Sequence, residues 1–108
     1  MKQVKVGNVV FGGKRLAFIA GPCVIESTKG TVDLAARLVR LAEELEVPLV
    51  FKASFDKANR TSVDSYRGPG LAEGLAVLKE VRDRFGVPVL TDIHEPAQAA
   101  VAAEAVDI

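Results

Sequence analysis

Val47-Pro48-Leu49-Val50-Phe51-Lys52-Ala53-Ser54 reads as a strand, and its opening recurs at Val87-Pro88-Val89-Leu90. Each copy starts on Val-Pro, continues with an apolar pair and turns polar where the strand should stop. Proline at the first strand position lacks only a donor that the ladder does not need there. Leu16 to Gly21, LAFIAG, is a third run of this kind, and its continuous apolarity is the pattern of a strand buried on both faces of a parallel sheet. Helical periodicity fills the gaps. From Thr31 to Glu46, Leu34, Leu38, Leu41 and Leu45 form one stripe, opposite Asp33, Arg37, Arg40, Glu43 and Glu44. A second stripe holds Leu71, Leu75, Leu78 and Phe85, and a short Ala-rich helix is expected from Pro96 to Glu104.

Outward from this core, the first eleven residues alternate valines with lysines around Gly7-Asn8, a small hairpin. At the other end, Ala105-Val106-Asp107-Ile108 is an apolar stub. The order is a hairpin and then βαβαβαβ, which implies a parallel sheet with right-handed crossovers. Such units make either a small open sheet or the opening of a (β/α)₈ barrel of roughly 250 residues. Because the chain stops inside an apolar segment, the expectation is the longer fold. Residues 1–15 are then the hairpin, and 16–108 are the first three βα units and the start of strand four of an α/β (β/α)₈ TIM barrel.

Composition limits the partners. The 108 residues are 49 % apolar, with nine Gly, five Pro and no Trp, enough to bury a core. Fourteen basic residues balance fourteen acidic ones, so there is no general pull toward nucleic acid or an anionic membrane. Any anion site must be local. No apolar run approaches the roughly 20 residues of a membrane span. The single cysteine allows no internal disulfide, so a cytoplasmic protein is the expectation.

In parallel α/β folds, the loops at the carboxyl ends of the strands carry ligands and catalysis. Here every strand ends in chemistry: Gly21-Pro22-Cys23 and Glu26 after the first, Lys52 through Arg67 after the second, Asp92, His94 and Glu95 after the third. In the middle loop Lys52, Lys57, Arg60 and Arg67 outnumber Asp56 and Asp64. Lysine point charges, arginine forks and nearby hydroxyl and amide groups suit phosphate or carboxylate, although a solvated loop can carry the same charges idly. Lys52 shares a strand face with Val50, so its stem should be half buried, which favours a role. Arg67-Gly68-Pro69-Gly70 also reads as a turn into the second helix. Cys23 is by composition either a small buried hydrophobe or a ligand. His94 could join it on a metal or serve as a hydrogen-bonding support. Asp92 and Glu95 could bind metal, orient a lysine or cap the following helix.

The run Phe51-Lys52-Ala53-Ser54-Phe55-Asp56-Lys57-Ala58-Asn59-Arg60-Thr61-Ser62, with Gly21-Pro22-Cys23, Tyr66-Arg67-Gly68-Pro69-Gly70-Leu71 and Thr91-Asp92-Ile93-His94-Glu95, resembles the 3-deoxy-D-manno-octulosonate 8-phosphate synthase family. The similarity spans Phe18 to Ile108. The sister heptulosonate 7-phosphate synthases typically have Lys-Pro-Arg-Thr where this chain has Lys57-Ala58-Asn59-Arg60. The resemblance implies a barrel, usually a homotetramer, that condenses phosphoenolpyruvate with arabinose 5-phosphate and water for lipopolysaccharide precursor synthesis. It implies Lys52 and Lys57 on phosphoenolpyruvate, and Asn59, Arg60 and Thr61 on arabinose 5-phosphate. Many members have serine at Thr61, and the hydroxyl survives that difference. Asp92 is implied at the active-site floor. Cys23 resembles the metal-dependent branch and is implied as a ligand of a divalent Zn, Fe or Mn. The remaining ligands are expected outside this chain, and His94 matches none of them.

Overall fold

The computed structural model describes residues 2–58 and 64–108. Its elements are β1 (Val4–Val6), β2 (Val9–Phe11), β3 (Phe18–Ala20), α1 (Thr28–Leu45), β4 (Leu49–Lys52), α2 (Leu71–Phe85), β5 (Val89–Leu90) and α3 (Gln98–Ala103). β1 and β2 pair antiparallel around Gly7-Asn8, with Val6 opposite Val9, and Val9 is fully buried. The hairpin is therefore as expected.

β3, β4 and β5 form a parallel sheet in that order. The two matched prolines do the same work: Pro48 O accepts from Phe18 N and Pro88 O from Phe51 N, each at 2.9 Å. Each proline thus supplies a carbonyl to the ladder, and its missing N–H is not needed. Both crossover helices lie on one face. Val32, Ala35 and Ala42 of α1 and Leu75, Leu78 and Val81 of α2 share one core with Leu49, Phe51 and Val89 of the sheet, and the helices touch each other. Sequential strands with crossovers on one face are the arrangement from which barrels close, whereas open doubly wound sheets have helices on both faces. Among the described residues no helix is long and apolar enough to cross a membrane.

Three expectations need correction. β3 is not buried on both faces: it is an edge strand, with Phe18 45 % and Ile19 49 % exposed. The leucine stripe of α1 meets the core only in part: Leu38 packs against it and Leu34 is half-buried. Thr31, Val32, Ala35 and Ala42 are buried, while Leu41 and Leu45 are exposed, because small residues let the helix approach the strands closely. α1 also begins earlier than periodicity suggests, because the Ser27 hydroxyl caps it by accepting from Gly30 N at 3.0 Å. At the end of the chain Ile108 pairs in parallel with β5, its N donating to Val89 O at 3.2 Å and its O accepting from Thr91 N at 3.1 Å. Beside that pair Asp107 N also donates to Val89 O, and the Asp107 carboxylate takes the Val89 N–H at 2.9 Å.

α2 is fitted to the loop beyond β4 at Gly74, where an added Cβ would lie 2.3 Å from Phe55 Cβ and 3.2 Å from its Cα. Alanine there gains about 1 kcal/mol of helix propensity. Overpacking costs about 1–3 kcal/mol, and a contact involving backbone leaves little room to relax. Gly74→Ala is therefore expected to destabilise, read as a lower denaturant midpoint; a raised midpoint would show that Phe55 is not confined there.

Candidate functional site

The alternation of β4 continues past its last ladder pair. Phe51, Ala53 and Phe55 enter the core beneath the helices, which directs Lys52 and Ser54 to the opposite face with Val50. β5 behaves alike. Val87 and Val89 enter the core, Thr91 is buried with its hydroxyl on Ala53 O at 2.8 Å, and Asp92 falls on the face of Lys52 and Ser54. The polar residues at the strand ends thus face away from the helices.

The first strand end is stitched to the second. An added Cβ at Gly21 would lie 1.8 Å from Lys52 O, so only glycine allows this approach. Beyond it, Val24 bridges Ser54, and Ile25 N donates to Ser54 O at 3.0 Å. Tyr66 closes the same region from the far side of the middle loop, donating to Ile25 O at 3.1 Å.

Ser54, fully buried, donates its hydroxyl proton to Asp92 Oδ1 at 2.5 Å. His94 Nε2 lies 2.6 Å from Asp56 O and 3.7 Å from Asp92 Oδ2, and its ring meets Phe55 edge-on. Since a carbonyl can only accept, Nε2 carries a proton. The Asp56 carboxylate is gripped by Arg67 through Nε and a terminal guanidinium nitrogen, both at 2.9 Å, and Lys57 N donates to Arg67 O at 2.7 Å. Burial works to raise the pKa of Asp92, but the Ser54 hydrogen bond, its own backbone and the neighbouring Lys57 and His94 side chains outweigh it. Its carboxyl is held below the usual range and is ionised at neutral pH.

Lys57 contributes to lowering the Asp92 pKa, and Lys52 is half-buried on the sheet face of Asp92. Cys23 lies exposed at the end of β3. It supplies one donor of the three or four that a divalent ion takes from protein, and no group of three His, Cys, Asp or Glu side chains able to hold a metal occurs among the described residues. The described residues do not by themselves fit a metal. His94, offered by sequence as a second ligand, instead serves as a support, with Nε2 committed to Asp56 O. Asn59, Arg60 and Thr61 lie outside the described residues. Sequence reasoning missed the Asp56–Arg67 fork and the Ser54–Asp92 contact, because partners 11 and 38 residues apart share no periodicity.

Residues 2–108 match the DAHP synthetase I family. The chain belongs to this family. Among its relatives, a protein of Geotalea uraniireducens is 53 % identical across 100 % of this chain, one of Fusobacterium nucleatum 50 % across 100 %, and one of Pseudomonas fluorescens 51 % across 99 %. All three carry the name 2-dehydro-3-deoxyphosphooctonate aldolase, and this chain covers 40 %, 39 % and 38 % of them respectively. The DAHP synthetase I family match and these relatives extend through every strand end described above.

The Ser54 hydroxyl should be measurable at Asp92. In Ser54→Ala the carboxyl loses its shortest donor, so its pKa is expected to rise toward the ordinary value of 3.8 in a ¹³C carboxyl titration. Because the folded value is depressed, Asp92 contributes stability that is present above the ordinary carboxylate value and is lost as pH falls through the folded one. Ser54→Ala should shrink that acid-side loss. An unshifted titration would remove the hydroxyl from the account.

Proposed function

We propose that the whole protein condenses phosphoenolpyruvate with D-arabinose 5-phosphate and water, releasing phosphate and forming 3-deoxy-D-manno-octulosonate 8-phosphate, a lipopolysaccharide precursor. The identity of 50–53 % with proteins named for the octulosonate aldol reaction, over the full length of this chain, carries the proposal. The heptulosonate reaction is not favoured, since these relatives bear the octulosonate name. A (β/α)₈ barrel completed beyond the three strands described here, a homotetramer and a cytoplasmic location belong to the same proposal. A single cysteine fits a reducing compartment.

The site chemistry supports the reading. Two phosphorylated reactants repel each other, and cationic groups offset that repulsion while fixing the enol carbon against the aldehyde. In this proposal Lys52 and Lys57 hold phosphoenolpyruvate, and Asn59, Arg60 and Thr61 hold arabinose 5-phosphate. Asp92, ionised and oriented by Ser54, presents its carboxylate at the strand end beside the loop that carries Lys57. Cys23 is one ligand of a divalent Zn, Fe or Mn, its exposed thiol placed at a strand's carboxyl end. Such an ion polarises an aldehyde or a water when bound.

Lys57→Ala in the full-length protein is expected to lower condensation turnover by about 10²–10³-fold, the scale of losing one electrostatic stabiliser. The check is phosphate release with arabinose 5-phosphate, run beside erythrose 4-phosphate. Unchanged turnover, or preference for the four-carbon sugar, would overturn the assignment. Chelation should abolish turnover, with Zn, Mn or Fe restoring it, and Cys23→Ser should leave less metal bound by elemental analysis. Chelator-resistant turnover with full metal retention in the serine variant would remove Cys23 from any metal site.

A further inference from the structure

The geometry points to Arg67 as a positioning residue for Lys57, acting through Asp56. The inference rests on the proposed function for the substrate that Lys57 meets, and on the structure alone for the positioning. Asp56 is fixed at two points: His94 Nε2 donates to its carbonyl, and Arg67 grips both its carboxylate oxygens at 2.9 Å. The next residue is Lys57, whose backbone N–H returns to Arg67 O at 2.7 Å. Arg67 thus holds Asp56 by its side chain and Lys57 by its backbone.

A planar guanidinium bonded to both oxygens fixes direction as well as distance, which a single ammonium contact does not. The ion pair is an unpromising stabiliser, since the Arg67 and Asp56 side chains remain 59 % and 28 % exposed and exposed pairs contribute little to folding. Its effect falls instead on geometry. Phe55 is anchored in the core on one side of Asp56, so the fork settles the direction in which the chain leaves that anchor, and with it the root of the Lys57 side chain.

The test compares the full-length protein with Arg67→Ala and Arg67→Lys. Arg67→Ala is expected to raise KM for phosphoenolpyruvate by about 10–10²-fold, the scale of a misplacement near 1 Å. The thermal midpoint should stay at that of the unaltered protein, with the Lys57 amide exchanging hydrogen faster. Arg67→Lys, which keeps charge but not the fork, should fall between. An unchanged KM and unchanged Lys57 exchange would overturn the inference, as would an activity loss that merely tracks a fallen thermal midpoint. If the unaltered protein does not condense this substrate pair, the proposed function fails, and Lys57 exchange alone decides the positioning.

Discussion

Phe55 is the residue on which the site depends. It stands just beyond the last ladder pair of β4, where a polar loop is free to leave the sheet, yet it is buried to 1 % exposure in the core beneath the helices. Burying such a ring stabilises by about 1.5–3 kcal/mol, enough to keep the chain extended for several residues past its last ladder pair. Extension preserves alternation, and alternation sorts the residues. Phe51, Ala53 and Phe55 go inward, and Lys52 and Ser54 go to the opposite face, where Ser54 meets Asp92. The backbone of Phe55 is itself held, because its carbonyl accepts from Gly70 N at the entrance to α2.

That sorting explains how much was legible in the sequence. Strand and helix order followed from periodicity, and the Val-Pro repeats marked two strand starts because the proline's missing donor is tolerated only there. The facing of α1 was misread in part, for a physical reason. Large leucines look like the buried stripe, but a helix lying close on a sheet uses Ala35 and Ala42 at its centre, with Leu38 packed beside them and Leu41 and Leu45 turned outward. At the end of the chain the side-chain contact was not legible, because a carboxylate such as that of Asp107 can bond a ladder N–H without leaving a periodic signal.

At the site, residue types were legible and pairings were not. The charged residues following each strand gather at one end of the sheet. Which carboxylate faces which cation depends on where loops return, and the return of Arg67 onto Asp56 follows from the turn into α2. A turn reading of Arg67 and a functional one are thus compatible, since the same turn brings its side chain back onto the loop.

The electrostatics follow from the same geometry. A chain with no net charge cannot steer a ligand from afar, and at physiological ionic strength a charge acts over about 8 Å. Attraction at this sheet end must come from groups already in place. An unpaired carboxylate near the lysines would meet an opposing demand: half-buried, it tends to take up a proton, and a protonated acid no longer supports a neighbouring cation. Asp92 escapes because Ser54 donates to it and its own backbone and the neighbouring Lys57 and His94 side chains add to that, so burial is outweighed and the carboxylate stays ionised. The buried hydroxyl of Ser54, with no charge of its own, thus helps hold the Asp92 carboxyl below its ordinary pKa.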